Sequence, residues 1–396
     1  MAAHNHTASM ASFPLYLAPY YRKSPYWQRT LEAGCVSWDV CNHSLIPNEY
    51  ATDEVTEYWQ LVNKVAVWDV NCERQVEITG PDAARFTQLL TSRDLSDCAV
   101  GQCKYAPIIA PDGGIVNDPI LLRLAENHFW LSLSNSDVLL FAKGVQSFSG
   151  LDVDLREPDV SPMQIQGPRS VDVMTALFGQ DSDVLALKYY HCVETTVGDI
   201  PVVVSRTGWT GEVGFEIFLR DGSRGSDLWD AVFAAGRAYE IAAGVPNDPR
   251  RIEAGILTYG LDMTIEHNPF QVTGMERLVE CLDADVDHIG KDALRRVRDE
   301  GVSEKLVAIE IAGGSLETWL TDFWPVEVAG TRVGRVTSYA WSPRLEINMA
   351  YAWLPSTHVQ EGAHVTVVSS KGPRDAAISS LPFFDARKRV PLGMNA

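Results

Sequence analysis

The stretch that most limits how this chain can fold runs Ser205-Arg206-Thr207-Gly208-Trp209-Thr210-Gly211-Glu212-Val213-Gly214-Phe215-Glu216-Ile217-Phe218-Leu219. Gly208, Gly211 and Gly214 recur every third residue and have the outline of a phosphate loop. A dinucleotide or Walker loop, however, leads from a strand into a helix whose N-terminus holds the phosphate. Here Pro201-Val202-Val203-Val204 precedes the glycines and Phe215 to Leu219 follows them, both rich in β-branched and aromatic residues. Strand, glycine-rich turn, strand is a hairpin. A two-residue period then puts Phe215, Ile217 and Leu219 on one face, Glu216 and Phe218 on the other. A carboxylate beside an aromatic ring on that second face is either solvated or aimed at a ligand.

A chain of 396 residues exceeds one ordinary core and implies two or three packed units. Hydrophobic content of 46% with 21% charged residues is that of a soluble globular protein. The net charge of −19 makes nucleic acid and anionic membranes poor partners, since both bind through basic residues. No run of about 18 apolar residues marks a membrane helix. The first 20 residues lack Lys and Arg, unlike a secretory signal, and Met1–Ser12 reads as a frayed end. The seven cysteines (35, 41, 72, 98, 103, 192 and 281) form no C-x-x-C pair, so reduced thiols and a cytoplasmic location are expected.

An aromatic-rich segment runs from Tyr16 to Trp38, which suits core packing or a cation-binding pocket. Val65 to Gly80 reads as strand, and Pro81-Asp82 opens a helix carrying Phe86, Leu89 and Leu90. Tyr105 to Leu124 reads as two strands about the turn Pro111-Asp112-Gly113-Gly114, followed by a strand at Phe129–Ser134. A helix is expected from Gly167-Pro168 to Gly179, and another from Ser226 as N-cap to near Gly244. The pattern is α+β, without regular βαβ repetition. From about residue 304 only short strands appear: Leu306–Ile311, Val333–Tyr339, Asn348–Leu354, His364–Ser369 and Ala377–Phe383. Residues 1–303 are therefore expected as two interleaved α+β lobes, and 304–396 as an all-β barrel or jelly roll.

Common nucleophile, metal and phosphate motifs are missing: there is no G-x-S-x-G, H-E-x-x-H or Walker lysine. His43 is expected as a partly buried structural residue, and Glu253 as a member of an ion pair. Asp118 stands in the apolar run Ile115-Val116-Asn117-Asp118-Pro119-Ile120-Leu121-Leu122. A carboxylate there costs free energy unless it is paired or used, although an exposed turn-end aspartate before Pro is the competing reading.

Several segments together resemble the folate-dependent aminomethyltransferase family, the glycine cleavage T-protein and its relatives. They are Gly113-Gly114-Ile115-Val116-Asn117-Asp118, Gln166-Gly167-Pro168, Arg206 to Glu216, Arg251-Ile252-Glu253-Ala254-Gly255, Tyr259-Gly260-Leu261-Asp262, Ile289-Gly290-Lys291-Asp292-Ala293-Leu294, and Val336-Thr337-Ser338 with Ser342-Pro343. The resemblance implies a three-lobed fold around a central folate hole, with a C-terminal barrel. It implies tetrahydrofolate as cofactor, Asp118 as catalytic residue, Glu216 as pterin anchor, and Tyr105, Trp209 and Tyr259 as folate contacts. Trp38 and Trp68 are the candidates for holding a cationic donor. The chain departs from T-protein at Trp68-Asp69-Val70-Asn71-Cys72-Glu73-Arg74-Gln75-Val76-Glu77, at Asn117 and at Val245-Pro246-Asn247-Asp248. These departures are similar to the branch of the family that takes a methyl group from the sulfonium dimethylsulfoniopropionate. Other N- or O-demethylation, aminomethyl transfer and non-catalytic folate binding are the alternatives.

Overall fold

The computed structural model describes residues 18–316, 318 and 320–395. Met1–Ser12 and Tyr16 lie outside them. Two sheets are built from interleaved segments. The first runs Asp154–Arg156, Gln75–Thr79, His128–Ser132, Ile120–Ala125, Cys103–Tyr105 in spatial order. The second runs Cys192–Val197, Ile200–Ser205, Gly214–Leu219, Ser161–Gln166, Ala66–Asp69, Ala242–Gly244. Its last strand pairs parallel to Ala66–Asp69; the other pairings are antiparallel.

The expected strand Val65–Gly80 is in fact two. A tight turn, in which Glu73 N–H reaches Val70 O at 2.9 Å, sends Ala66–Asp69 to one sheet and Gln75–Thr79 to the other. The expected pair of strands over Tyr105–Leu124 is likewise four short ones, broken at Pro107 and Pro119, which have no N–H for a ladder. The helix expected from Ser226 spans Gly225–Gly236, so Ser226 lies inside it; Arg224 is at the N-cap position and Gly244 ends a strand instead. The helix Ser170–Phe178 ends at Gly179 as expected and buries Val173 and Met174 completely. Burial of each such side chain is worth about 1.5–3 kcal/mol.

The central hairpin is present, with Ser205 opposite Glu216 and Val203 opposite Phe218. Phe215, Ile217 and Leu219 pack into one core with Val202, Met163 and Leu228. Phe218 turns the other way, onto Leu122 and Trp130 of the first sheet. That contact holds the two sheets face to face. Of the three loop glycines, only Gly211 has a left-handed φ (+67°). A Cβ on Gly208 or Gly214 would lie within 2.5 Å of the Gln166 carboxamide, so close approach is what those two positions require.

At the C-terminal end six strands close into a barrel in the order Glu304–Ile311, Ile347–Pro355, Thr331–Ser342, Pro325–Val328, His364–Ser369, Gly372–Ser379. Pro325–Val328 carries too short an alternation to be read from sequence. A bulge between Val336 and Ser338 leaves Thr337 unpaired. Both Thr337 and Ser338 thereby donate to Asp262, at 2.8 and 2.5 Å. Asp262 also accepts from Arg251 Nη1 at 3.2 Å. Nearby, the buried Glu253 accepts from Tyr58 at 2.7 Å and Ser342 at 2.5 Å, and pairs with Arg250 at 3.5 Å. Removing one partner of a buried pair strands the other charge. Asp262→Ala is therefore expected to destabilise the fold by about 3 kcal/mol, read as a lower denaturant midpoint.

Candidate active site

A cavity of about 940 Å³ opens where the two sheets meet the segment that follows the barrel. Its wall includes Tyr105, Asp118, Gln164, Trp209, Glu216 and Tyr259, so the structure brings all five expected catalytic and folate residues into one space. The volume suits a ligand of cofactor size.

Asp118 sits in the gap between the strands Ile115–Asn117 and Ile120–Ala125, opened by Pro119. Its Oδ2 accepts from Tyr105 Oη at 2.7 Å and its Oδ1 from Ser134 Oγ at 2.8 Å. Asn117 holds Ser134 in turn, accepting from its N–H at 3.2 Å. Asp118 is 6% exposed, and burial pushes its carboxyl up to about 6 against the pull of those two donors. At neutral pH it is ionised, with its charge fixed in a poorly solvated wall. Tyr259 donates to Ile115 O at 2.9 Å, so its ring faces the cavity while its hydroxyl is tied to backbone.

Glu216 lies on the strand Gly214–Leu219, between Gln164 on one side and Ser205 on the other. Its Oε1 accepts from Gln164 Nε2 at 2.8 Å; its Oε2 accepts from Thr207 and from Ser205. Burial raises its pKa, and these donors oppose the rise. Gln164 Oε1 takes the Trp209 N–H at 3.4 Å, and the Arg251 guanidinium lies 5.1 Å from the Trp209 ring centre. The hairpin loop and the Glu216 carboxyl are thus fixed by one glutamine.

Neither Trp38 nor Trp68 lines the cavity. Trp38 packs on Trp27 with ring centres 4.8 Å apart. Trp68 is on the correct face, opposite Gln164, but is 1% exposed in a cluster with Leu61 and Val70 against which Trp209 packs. His43 is exposed and sits with Asn42 at positive φ in the turn between the strands Cys35–Cys41 and Ser44–Tyr50. The cavity also holds residues that sequence reading did not single out: Glu73, Tyr189, Tyr190, Arg277 and Lys388. Of these, Glu73 alone had a signal, as one of three acidic residues, with Asp69 and Glu77, in a run that departs from T-protein.

A fixed carboxylate offering lone pairs into a cavity of this size fits the adjacent N–H donors of a pterin, and aromatic walls fit its ring. The cavity with its fixed carboxylates and aromatic walls is built as a small-molecule site. Residues 7–282 match the family model described as GCVT N-terminal domain, and residues 305–385 match the glycine cleavage T-protein C-terminal barrel domain. The chain belongs to the glycine cleavage T-protein family of tetrahydrofolate-dependent transferases. It is 36% identical to dimethylsulfoniopropionate demethylase DmdA of Ruegeria pomeroyi, over 90% of this chain and 96% of that one. It is 30% identical to an aminomethyltransferase of Symbiobacterium thermophilum, over 87% and 92% respectively. The crystal structure of glycine cleavage system aminomethyltransferase T from Bartonella henselae superposes with a TM-score of 0.80 at 21% identity, covering 92% of this chain and 98% of that one. That last likeness establishes the three-lobed fold.

Tyr105 stabilises the charged form of Asp118, so its loss raises the carboxyl pKa further. Tyr105→Phe is expected to move the acid limb of the pH–rate profile upward from near 6 by about one pH unit. The measurement is kcat against pH.

Proposed function

We propose that the chain transfers a methyl group from a small sulfonium donor, dimethylsulfoniopropionate, to N5 of tetrahydrofolate, leaving 3-methylthiopropionate and 5-methyl-tetrahydrofolate. The observation that carries this reading is Asp118, a carboxyl group fixed by two hydroxyls in the same cavity as Glu216. The identity with a dimethylsulfoniopropionate demethylase supports the choice of donor.

Tetrahydrofolate, when bound, supplies the nucleophilic nitrogen. Glu216 holds the pterin edge through paired N–H···O bonds, and the rings of Trp209 and Tyr259 fix its plane. Asp118 then does two things. Its charge stabilises the positive charge that passes from sulfur to nitrogen, and it takes up the proton released afterwards. A neutral thioether leaves without help, so an acid at the leaving group has no task. Tyr105 and Ser134 keep both oxygens of Asp118 in place through the transfer. Arg277 and Lys388 add positive charge to the cavity wall, which suits the carboxylates that both ligands carry.

The test is incubation with tetrahydrofolate and a panel of methyl and aminomethyl donors. Formation of 5-methyl-tetrahydrofolate from dimethylsulfoniopropionate is the expected result. If only an aminomethyl donor reacts, giving 5,10-methylene-tetrahydrofolate, the demethylase reading is wrong. Asp118→Asn is expected to lower kcat by roughly 10²–10⁴ with little change in tetrahydrofolate affinity. Glu216→Ala is expected to weaken that affinity at least tenfold, as measured by equilibrium titration.

A further inference from the structure

We propose that Glu73 is a second pterin-reading residue, a neutral carboxylic acid that donates its O–H to a ring acceptor beside the N–H donors taken by Glu216. The inference rests on the reading of Glu216 as the pterin anchor.

Glu73 is carried by the turn that passes the chain from one sheet to the other, and its side chain lines the cavity. Gln164 Nε2 has two hydrogens: one bonds Glu216 Oε1 at 2.8 Å, the other Glu73 Oε1 at 3.2 Å. Two carboxyl groups therefore stand on a single amide nitrogen. Among the described residues neither has a Lys or Arg as ion-pair partner. The groups that act on Glu73 most strongly are the Glu216 carboxyl from its strand, the Cys41 thiol from Cys35–Cys41, and Ser132 and Gln164, which donate to it; the Cys72 thiol lies beside it as well. None of them is cationic.

Two carboxyls this close in a poorly solvated wall do not both ionise. Glu216 accepts from Thr207, Ser205 and Gln164 and keeps the negative charge. Burial and that charge hold Glu73 well above the ordinary carboxylate range, so it retains its proton. The pyrimidine edge of a pterin has the matching order: N–H donors at the 2-amino group and N3, flanked by acceptors at N1 and O4. A carboxylate beside a carboxylic acid complements donors beside an acceptor. An ionised Glu73 would instead set lone pair against lone pair.

The experiment is anaerobic titration of the full chain with tetrahydrofolate, reading Kd against pH for wild type, Glu73→Gln, Glu73→Ala and Glu216→Ala. Glu73→Gln, whose amide keeps a donor, is expected to stay within about threefold of wild type at neutral pH, and Glu73→Ala to bind about tenfold more weakly. Wild-type affinity should fall as rising pH ionises Glu73, a loss that Glu73→Gln abolishes. The proposal is overturned if Glu73→Gln binds as weakly as Glu73→Ala, or if both bind as wild type does while Glu216→Ala is impaired. If Glu216→Ala itself leaves Kd unchanged, the anchor reading falls, and this proposal with it.

Discussion

Asp262 is fully buried and gathers donors from separate parts of the chain: the Arg251 guanidinium, the Thr258 N–H, and the hydroxyls of Thr337 and Ser338 on a barrel strand. A carboxylate withdrawn from water is tolerable only when its lone pairs are met, and here the donors that meet them are the joints of the fold. Arg251 turns from this knot toward the cavity, where it lies over Trp209. Trp209 in turn hangs on Gln164. The attachment of the barrel and the position of the hairpin loop are therefore set by one connected polar network.

The cavity departs from the usual rule for buried polar groups in one respect. Asp118 and Glu216 receive neutral donors, hydroxyls and an amide, where structural carboxylates such as Glu253 and Asp262 receive arginines. A neutral donor orients a carboxylate without cancelling its charge. That uncancelled charge remains available to a ligand that brings donors or develops positive charge of its own.

Much of this was legible in the sequence, for physical reasons. The two-residue period of Phe215 to Leu219 assigns both faces of the hairpin, because a wholly apolar face opposite one that carries a carboxylate has only one satisfactory register. The apolar run around Asp118 makes a buried carboxylate one of two readings, and the family resemblance selects it. What escaped was set by long-range contact. The break after Asp69 depends on a turn with neither Gly nor Pro to mark it. Trp68 points toward the correct side of its sheet but is covered by a residue 141 positions later, which no local pattern reports. Glu73 gains its meaning only from Gln164 and Glu216, each on a different element.

The strand Ser161–Gln166 is paired on both sides, and its two glutamines occupy alternate positions. Gln164 holds the carboxyls; Gln166 holds the loop through the carbonyls of Thr207 and Phe215 and the Thr210 hydroxyl. A one-residue slip would turn Met163 and Ile165 to the face that carries the two glutamines, replacing their polar contacts with apolar ones in a single step. The strand thus works as a proofreading element for folding. A molecule with this pairing wrong has no partial site to offer, so a chain that binds its ligand has also reported that its central sheet is in register.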